Sequence, residues 1–430
     1  MANNSQPMVA WVQISKKDVA RAEQALLQDE KGVVDEIGLL SLHQAISDHL
    51  FPGTSVLHTR LRYALFVPWL MELAVELRPT NPRAALKELE CKLTGRLKVG
   101  TEKSDEGQRK ELGIEKLDDG ERIGVIGRIK HPEATAQPPS FSYWTALSTW
   151  GILHRQYRGA SREHVLAKVA EYRSSTRGPK DEDGKSLSTD SAPFMGIPLP
   201  PSEFLEKPLN FRLRTEEADF LRKRLVAVNR PSDGRTSLLA QMAERRIIPT
   251  GEFPWTDEKV VKAADGHDKE FLLMASRCSS LACVARSAYF ALTEAASEKQ
   301  GFSDSHIHRE HLEAMRAQHG HNALALNLLD LKSPEVGLNV KDELVVLLEQ
   351  TQQWLRKSSS VVSLQECYAH AEEALKGSRA RLGAKDLGRS RLYTWATTDL
   401  GNLAEPLHFR WDKVRRMITD LNVPVTTGGR

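Results

Sequence analysis

Residues 35–71 read DEIGLLSLHQAISDHLFPGTSVLHTRLRYALFVPWLM, and this stretch decides the fold that the sequence predicts. It predicts a helix, a tight break at Pro52-Gly53, and a second helix that Thr54 or Ser55 opens as its N-cap. The second helix is almost entirely apolar over residues 63–71, so we expect most of its sides to be buried. The pattern is typical of a packing centre rather than of a catalytic centre.

Helical patterns continue along the chain. Pro68 predicts a kink or an end in the second helix. Asn81-Pro82 begins a further helix, whose leucines at 86, 89, 93 and 97 share one face. A short extended segment and a helix are expected before residue 30. Further helices are expected over residues 141–158, 161–173, from 215, and over 235–246, 257–265, 269–299, 307–329, 341–357, 362–377 and 408–421. No long alternating pattern predicts a strand, so the fold class is mainly α.

The length and one change in composition predict the domain organisation. A chain of 430 residues exceeds the size of a usual single hydrophobic core. Residues 174–201 are rich in Ser, Gly, Pro and Asp and lack an apolar period, which predicts a flexible linker. We therefore expect a two-lobed helical protein, with an N-terminal helical domain over 1–173 and a C-terminal helical domain with a basic patch over 202–430.

Targeting signals and cysteine usage indicate the compartment. The N-terminus lacks the charged start and apolar core of a signal peptide. The longest apolar run is about nine residues, far short of the ~20 that a membrane span needs. The four cysteines are scattered and form no zinc-type pairs. We expect a cytoplasmic protein with reduced thiols and no membrane contact.

Three catalytic motifs are present only in part. Residues 178–186 end in Gly-Lys-Ser, but five residues instead of four separate the two glycines that a P-loop requires. His267-Asp268-Lys269 begins the phospholipase-D motif HxKxxxxD, whose Asp position holds Met274. Glu90-Cys91-Lys92 matches half of a nuclease signature but lies in a helical leucine pattern, which predicts a solvated helix face. We expect no cofactor, and the sequence favours a protein that is not an enzyme.

A histidine cluster keeps one catalytic alternative open. Five histidines occupy positions 306, 308, 311, 319 and 321. His308 and His311 share a helix face, but two ligands make neither a structural nor a catalytic zinc site. A polar helix start with surface histidines is the simpler interpretation. A metal-dependent hydrolase is the alternative, with His306, His308 and His311 as candidate ligands.

The C-terminal region departs from charge balance. From Lys376 to Arg416 the chain has ten Lys and Arg against four Asp and Glu, an excess twice the net charge of +3 of the whole chain. Tyr393, Trp395, Phe409 and Trp411 are interleaved with these charges. Arginines beside aromatic rings suit phosphate contacts and base stacking, whereas the alternatives are a solvated helix surface and a protein interface. The predicted nucleic-acid-binding residues are Arg379, Arg381, Lys385, Arg389, Arg391, Arg410, Arg415 and Arg416.

Several short motifs, taken in order, resemble those of a family of uncharacterised bacterial proteins. They are Trp11, Asp35-Glu36-Ile37-Gly38, Phe51-Pro52-Gly53-Thr54-Ser55, Thr59-Arg60-Leu61-Arg62-Tyr63, Phe66-Val67-Pro68-Trp69, Gly124-Val125-Ile126-Gly127-Arg128, Tyr143-Trp144, Trp150-Gly151-Ile152 and Phe409-Arg410-Trp411. The resemblance implies partner proteins, because members of this family look like companions of helicases and phospholipase-D-type nucleases in anti-phage defence islands. It implies no catalytic residues.

The function that the sequence favours combines the charge excess with this resemblance. We expect a non-enzymatic accessory or DNA-contacting subunit of a bacterial helicase–nuclease anti-phage defence system. Its expected partners are the helicase and the phospholipase-D-type nuclease of the same operon, and DNA. The alternatives are the metal-dependent hydrolase and a purely structural scaffold.

Overall fold

A computed structural model describes residues 35–78, 80–112, 124–176, 191–333, 338, 340–357, 359–383, 385–398 and 400–423. These residues form fifteen α-helices. They are α1 (Leu39–Leu50), α2 (Tyr63–Leu77), α3 (Pro82–Leu112), α4 (Pro139–Ser142), α5 (Trp144–Thr149), α6 (Arg162–Thr176), α7 (Thr215–Val226), α8 (Leu238–Glu244), α9 (Glu258–Ala263), α10 (Gly266–Lys299), α11 (Ile307–Leu324), α12 (Asp342–Lys357), α13 (Gln365–Lys376), α14 (Asp386–Thr398) and α15 (Trp411–Asn422). Short 3₁₀ helices lie at Arg155–Tyr157, Leu328–Lys332, Val361–Leu364 and Gly377–Arg379.

The prediction of a mainly α protein is confirmed. Within the described ranges, extended pairing consists of two isolated bridges, Leu153–Phe194 and Asn229–Thr236. No helix in the described part of the chain is long and apolar enough to cross a membrane. The extended segment and helix that the sequence predicts before residue 30 lie outside the described residues.

Helices α2, α3 and α6 pack together in the N-terminal part of the chain. The leucine pattern of α3 is confirmed, because Leu86, Leu89, Leu93 and Leu97 are all buried. Helix α2 is buried on most sides, as its composition predicts. Pro68 lies inside α2 without ending it, since the apolar contacts around the helix outweigh the one backbone hydrogen bond that proline cannot donate.

The 34-residue helix α10 is the longest of the described helices, about 50 Å from end to end. It packs along α11 and also contacts α1, α12 and α14. Its N-cap is Asp265, whose side chain accepts a hydrogen bond from the backbone N–H of Asp268 at 2.8 Å. Small residues such as Ala282 and Ala285 are fully buried along it, which lets neighbouring helices approach closely.

Residues 51–62, between α1 and α2, adopt turns rather than the predicted helix start. Thr54 does not cap α2, because its hydroxyl donates to the carbonyl of Phe51 at 2.7 Å and α2 begins only at Tyr63. Gly53 has φ +78°, and a Cβ there would lie 2.7 Å from the side chain of Thr149. Only glycine fits this turn without moving its neighbours.

One face of the 51–62 segment is held by Tyr143. The hydroxyl of Tyr143 accepts from the backbone N–H groups of Thr59 and Arg60 at 2.9 and 3.0 Å, and donates to the carbonyl of Arg60 at 2.7 Å. The imidazole of His58 stacks on the same tyrosine ring at 4.3 Å and donates through Nε2 to the carbonyl of Ser142 at 3.0 Å. These hydrogen bonds pair buried backbone N–H and carbonyl groups that have no partner within a helix.

Two carboxylates from distant helices also hold the 51–62 segment. Asp420 of α15 accepts from Arg60 Nε and Nη2 at 3.0 and 2.8 Å, and from the backbone N–H of Leu61 at 3.0 Å. Glu217 of α7 accepts from Arg62 Nη2 at 2.9 Å. The Arg60–Asp420 pair is bidentate, and such a pair fixes geometry as well as charge.

The predicted division into two lobes stays a prediction. Buried apolar side chains from Ile37 to Leu421 form one cluster. The pairs of Arg60 with Asp420 and Arg62 with Glu217 join segments on either side of the predicted linker. Residues 177–190 of that linker lie outside the described residues.

We expect Asp420→Ala to destabilise the protein strongly. The side chains of Arg60 and Asp420 are 12% and 6% exposed, so the substitution leaves a nearly buried guanidinium without its carboxylate. The expected loss in the free energy of unfolding is about 3 kcal/mol or more, measured by urea denaturation. The control is Glu88→Ala, because the Arg78–Glu88 pair is 52% and 62% exposed and is worth about 1 kcal/mol at most. Equal losses for the two variants would contradict this assignment.

Acid is expected to destabilise the fold through two buried histidines. Burial, followed by the charge of Arg410, lowers the pKa of His43 and of His58 from 6.5 to about 3. Between pH 6.5 and 3 the unfolded chain therefore binds protons that the folded chain does not, and stability falls as pH falls. Each histidine contributes a slope of about 1.4 kcal/mol per pH unit.

His58→Gln tests this slope, since glutamine can still donate to the carbonyl of Ser142. We expect the dependence of unfolding free energy on pH, measured between pH 6 and 4.5, to lose about 1.4 kcal/mol per pH unit relative to the unsubstituted protein. Other titrating groups cancel in this difference. Parallel pH curves for the two proteins would show that His58 is protonated in the folded state.

Candidate nucleic-acid interface

Helix α14 carries two of the four exposed cations that the structure describes in the basic region. Gly388, Leu392, Trp395 and Ala396 face the core at helical spacing. The sequence pattern does not predict this helix, because glycine, serine and threonine are weak helix formers. Gly388 is required by packing, since a Cβ there would lie 2.0 Å from the carbonyl oxygen of Ala380.

Four of the eight predicted nucleic-acid-binding residues are exposed around α14. They are Arg379, Lys385, Arg389 and Arg391. Among the described residues, no carboxylate lies within ion-pair distance of the three arginines. Lys385 contacts the carboxylate of Glu373, and both of these side chains are about half exposed. The three arginines are therefore free to meet an external anion.

Two of the cations of this region lie close together, because Lys376 and Arg381 contact the same carboxylate, that of Glu36. Burial lowers the pKa of Lys376 to about 7. The positive charges of Arg381, Arg379 and Arg391 act in the same direction, whereas the charge of Asp35 opposes them. Positive charge is thus concentrated where α13, the following 3₁₀ turn and α14 meet.

Buried carboxylates partly neutralise the positive charges of Arg381 and Lys376. Glu36, only 4% exposed, contacts Lys376 and accepts from Arg381 Nη1 at 2.9 Å. Glu372, fully buried, accepts from the hydroxyl of Tyr289 at 2.6 Å and from the backbone N–H of Leu382 at 2.9 Å. Arg381 therefore ties residue 36 to the C-terminal region, whereas Arg379 and Arg391 remain on the outside.

The remaining predicted residues turn inward. Arg410 is 4% exposed, and its Nη1 donates to Asp48 Oδ1 at 2.7 Å and to the carbonyl of Thr54 at 2.8 Å. Arg415 Nη1 donates to the carbonyl of Gly251 at 3.1 Å. Arg416 is half-buried, and burial lowers its pKa. These three arginines are less exposed than the four around α14, and we leave them out of the proposed surface.

Arg410 sits in a strained part of the backbone. Phe409 and Arg410 have φ of +48° and +63°, the left-handed region that non-glycine residues seldom adopt. Such residues persist where surrounding contacts hold them, at a cost of about 1 kcal/mol or more each. Here the contacts are the full burial of Phe409 and the bonds from Arg410 to α1 and to the 51–62 segment.

The candidate metal ligands do not converge. His306 is exposed, whereas His308 is buried against the rings of Phe290 and Trp395, at 5.3 and 5.1 Å between centroids. His311 Nε2 lies 2.8 Å from the carbonyl of Ala404. Burial lowers the pKa of His308. In the described part of the chain, no three His, Cys, Asp or Glu side chains are placed to hold a metal ion. The geometry does not favour the hydrolase alternative.

A cavity of about 220 Å³ lies between α3, residues 127–140 and the start of α6. The prediction that Glu90 lies on a solvated helix face is wrong, because Glu90 is 7% exposed and lines this cavity. Its Oε1 accepts from the backbone N–H of Ser140 at 2.9 Å, and Arg162 Nη1 donates to the hydroxyl of Ser140 at 3.3 Å. Burial raises the pKa of Glu90. The site has room for a small polar molecule.

Of the four aromatic residues in the basic region, three belong to the core. Trp395, Phe409 and Trp411 are at most 2% exposed, whereas Tyr393 is 55% exposed. The ring of Tyr393 packs edge-on against Phe302, with centroids 5.4 Å apart. No local signal links Phe302 to this surface, because about ninety residues of sequence separate the two rings.

The inward and outward arginines are expected to respond differently to substitution. Arg410→Ala leaves the buried carbonyl of Thr54 without its donor and should lower the free energy of unfolding by about 2 kcal/mol or more. Arg389→Ala, on the exposed side of α14, should change it by about 0.5 kcal/mol at most. Urea denaturation of both variants measures the difference. A large loss for Arg389→Ala would mean that α14 uses this arginine to fold.

The family assignment follows from comparison with known proteins. The model of a family of unknown function, DUF6361, matches residues 6–421. No curated protein and no solved structure matches the chain. The match covers nearly the whole sequence, including the helices that carry the basic region. The chain therefore belongs to DUF6361, a family of unknown function.

Proposed function

We propose that this protein is a non-enzymatic accessory subunit that contacts DNA through the exposed face around α14. The observation that carries the proposal is the position of Arg379, Arg389 and Arg391. These three arginines are exposed, and in the described structure none of them is paired with a carboxylate. Guanidiniums placed in this way suit the phosphates of a nucleic-acid backbone.

Because the net charge of the chain is small, we propose that DNA is bound by this local surface and not by a general attraction of the protein to polyanions. A charge of +3 over 430 residues gives little long-range attraction. Affinity would instead come from a few phosphate contacts that release counterions, and it would fall as salt rises. Three unpaired arginines predict modest affinity, which suits a subunit that acts beside a partner.

The partners in this proposal come from the resemblance of the sequence motifs to those of defence-island proteins. We propose that a helicase and a phospholipase-D-type nuclease of the same operon supply the catalysis, within an anti-phage defence system. The incomplete HxKxxxxD motif supports this division of labour: Met274 is where the motif requires Asp, and Asp268 within it pairs with Arg230 at 2.9 Å.

Salt-dependent DNA binding tests the contact. We expect the slope of log K against log salt to fall by about one for each of Arg379→Gln, Arg389→Gln and Arg391→Gln, since each variant loses about one phosphate contact. The measurement is fluorescence anisotropy or gel shift over a range of salt concentrations. The charge-reversal variant R379E/R389E/R391E should bind no DNA.

The matched control is Arg155→Gln, an exposed arginine in the N-terminal part of the chain, which should leave the slope unchanged. DNA binding that survives charge reversal of the three arginines would remove this surface from the proposal. Absence of any DNA binding at low salt would overturn the DNA contact altogether. Co-purification of the operon proteins with the tagged chain tests the accessory role separately.

A further inference from the structure

We infer that the surface around α14 binds single-stranded DNA in preference to duplex, with Tyr393 as the platform on which a base stacks. The inference rests on the proposed DNA contact and adds the form of the nucleic acid. It is carried by the geometry of one exposed tyrosine and the arginines on both sides of it.

The ring of Tyr393 contacts a neighbouring ring while more than half of the residue stays exposed. Its ring meets that of Phe302 at an angle of 84°, with centroids 5.4 Å apart. The guanidinium of Arg389 lies over the same phenylalanine ring, 5.8 Å from its centroid. Phe302 thus contacts both residues, and 55% of Tyr393 remains exposed. An exposed aromatic ring with a fixed orientation is suited to stacking against a base.

An arginine lies at each edge of the exposed face of α14. Arg389 lies one helical turn before Tyr393, about 40° around the helix axis. Arg391 lies at the other edge of the exposed face, about 160° around the axis from Tyr393 and about 200° from Arg389 on that side. A strand that crosses the helix would place phosphates at the flanks and a base between them, over the tyrosine.

The surface between the flanks offers little with which to read a base edge. Thr394 and Thr397 lie there, but their hydroxyls donate to the helix carbonyls of Ser390 and Tyr393 at 3.1 and 3.0 Å. With those protons committed to the backbone, the exposed hydroxyl of Ser390 is the remaining side-chain donor on this arc, and ring stacking, which tolerates any base, supplies the main base contact.

Stacking selects a single strand over a duplex. In a duplex each base already stacks on its neighbours, and both of its faces are covered. A single strand can turn one base face onto Tyr393 while its phosphates meet Arg389 and Arg391. Because duplex DNA can use only the arginines, the tyrosine should contribute to single-strand binding alone.

The experiment is fluorescence anisotropy with the full-length protein. The probes are an oligothymidylate of about 20 nucleotides, a mixed-sequence duplex of about the same length, and the corresponding oligouridylate, all at one low salt concentration. We expect the DNA single strand to bind about tenfold more tightly than the duplex. Tyr393→Ser should weaken single-strand binding about tenfold and leave duplex binding unchanged, whereas Tyr393→Phe should bind as the unsubstituted protein does.

Leu387→Ser is the matched control, because Leu387 is 59% exposed on the same helix but carries no ring. Its expected effect on binding is nil. The melting temperature of each variant shows whether it is folded, and exposure of both side chains makes large changes unexpected.

The outcomes separate this inference from the proposal on which it rests. Duplex and single strand binding equally, with Tyr393→Ser neutral and the arginine variants weakened, would overturn the single-strand inference alone. Tight binding of oligouridylate with no binding of oligothymidylate would overturn it in favour of RNA. No binding of any probe would overturn both the inference and the proposed DNA contact.

Discussion

The fold depends on satisfying the backbone of twelve residues that form neither helix nor strand. Residues 51–62 lie in the interior, where an unpaired N–H or carbonyl group is costly. Their partners are side chains from elsewhere in the chain, above all the hydroxyl of Tyr143 and the carboxylate of Asp420. Each partner bonds the backbone itself, so the positions of α4, α5 and α15 are set by hydrogen-bond geometry as well as by apolar contact.

Much of the helical architecture could be predicted, because it depends on local periodicity. The leucines of α3 repeat at helical spacing, and the apolar run of α2 predicts burial whatever packs against it. The errors occur where tertiary contacts override local preference. Thr54 is a good N-cap residue by type, yet its hydroxyl bonds to Phe51 and its carbonyl serves Arg410. Helix α14 forms despite weak propensity, because Leu392 and Trp395 are buried.

The candidate site shows a sharper limit of sequence reasoning. Composition located an excess of arginine, but it does not distinguish an arginine that meets solvent from one that holds the core. Arg410 and Arg389 differ because Asp48 and Thr54, more than 350 positions away in the chain, lie beside the first and not the second. The same holds for the aromatic residues, since only folding separates Tyr393 from the buried Trp395. A count of charges therefore predicts which region is basic. Burial in the folded structure then decides which of its arginines face solvent.

The bond between Asp420 and the backbone of Leu61 has a consequence for synthesis in the cell. The two residues are 359 positions apart. At ordinary translation rates, roughly 20 to 70 s pass between the appearance of the first and that of the second. During that interval the 51–62 segment lacks one of its two carboxylate partners and cannot reach its final set of bonds. The nascent chain of this protein therefore carries an incomplete 51–62 segment for most of its time on the ribosome, when chaperones have the greatest opportunity to bind it.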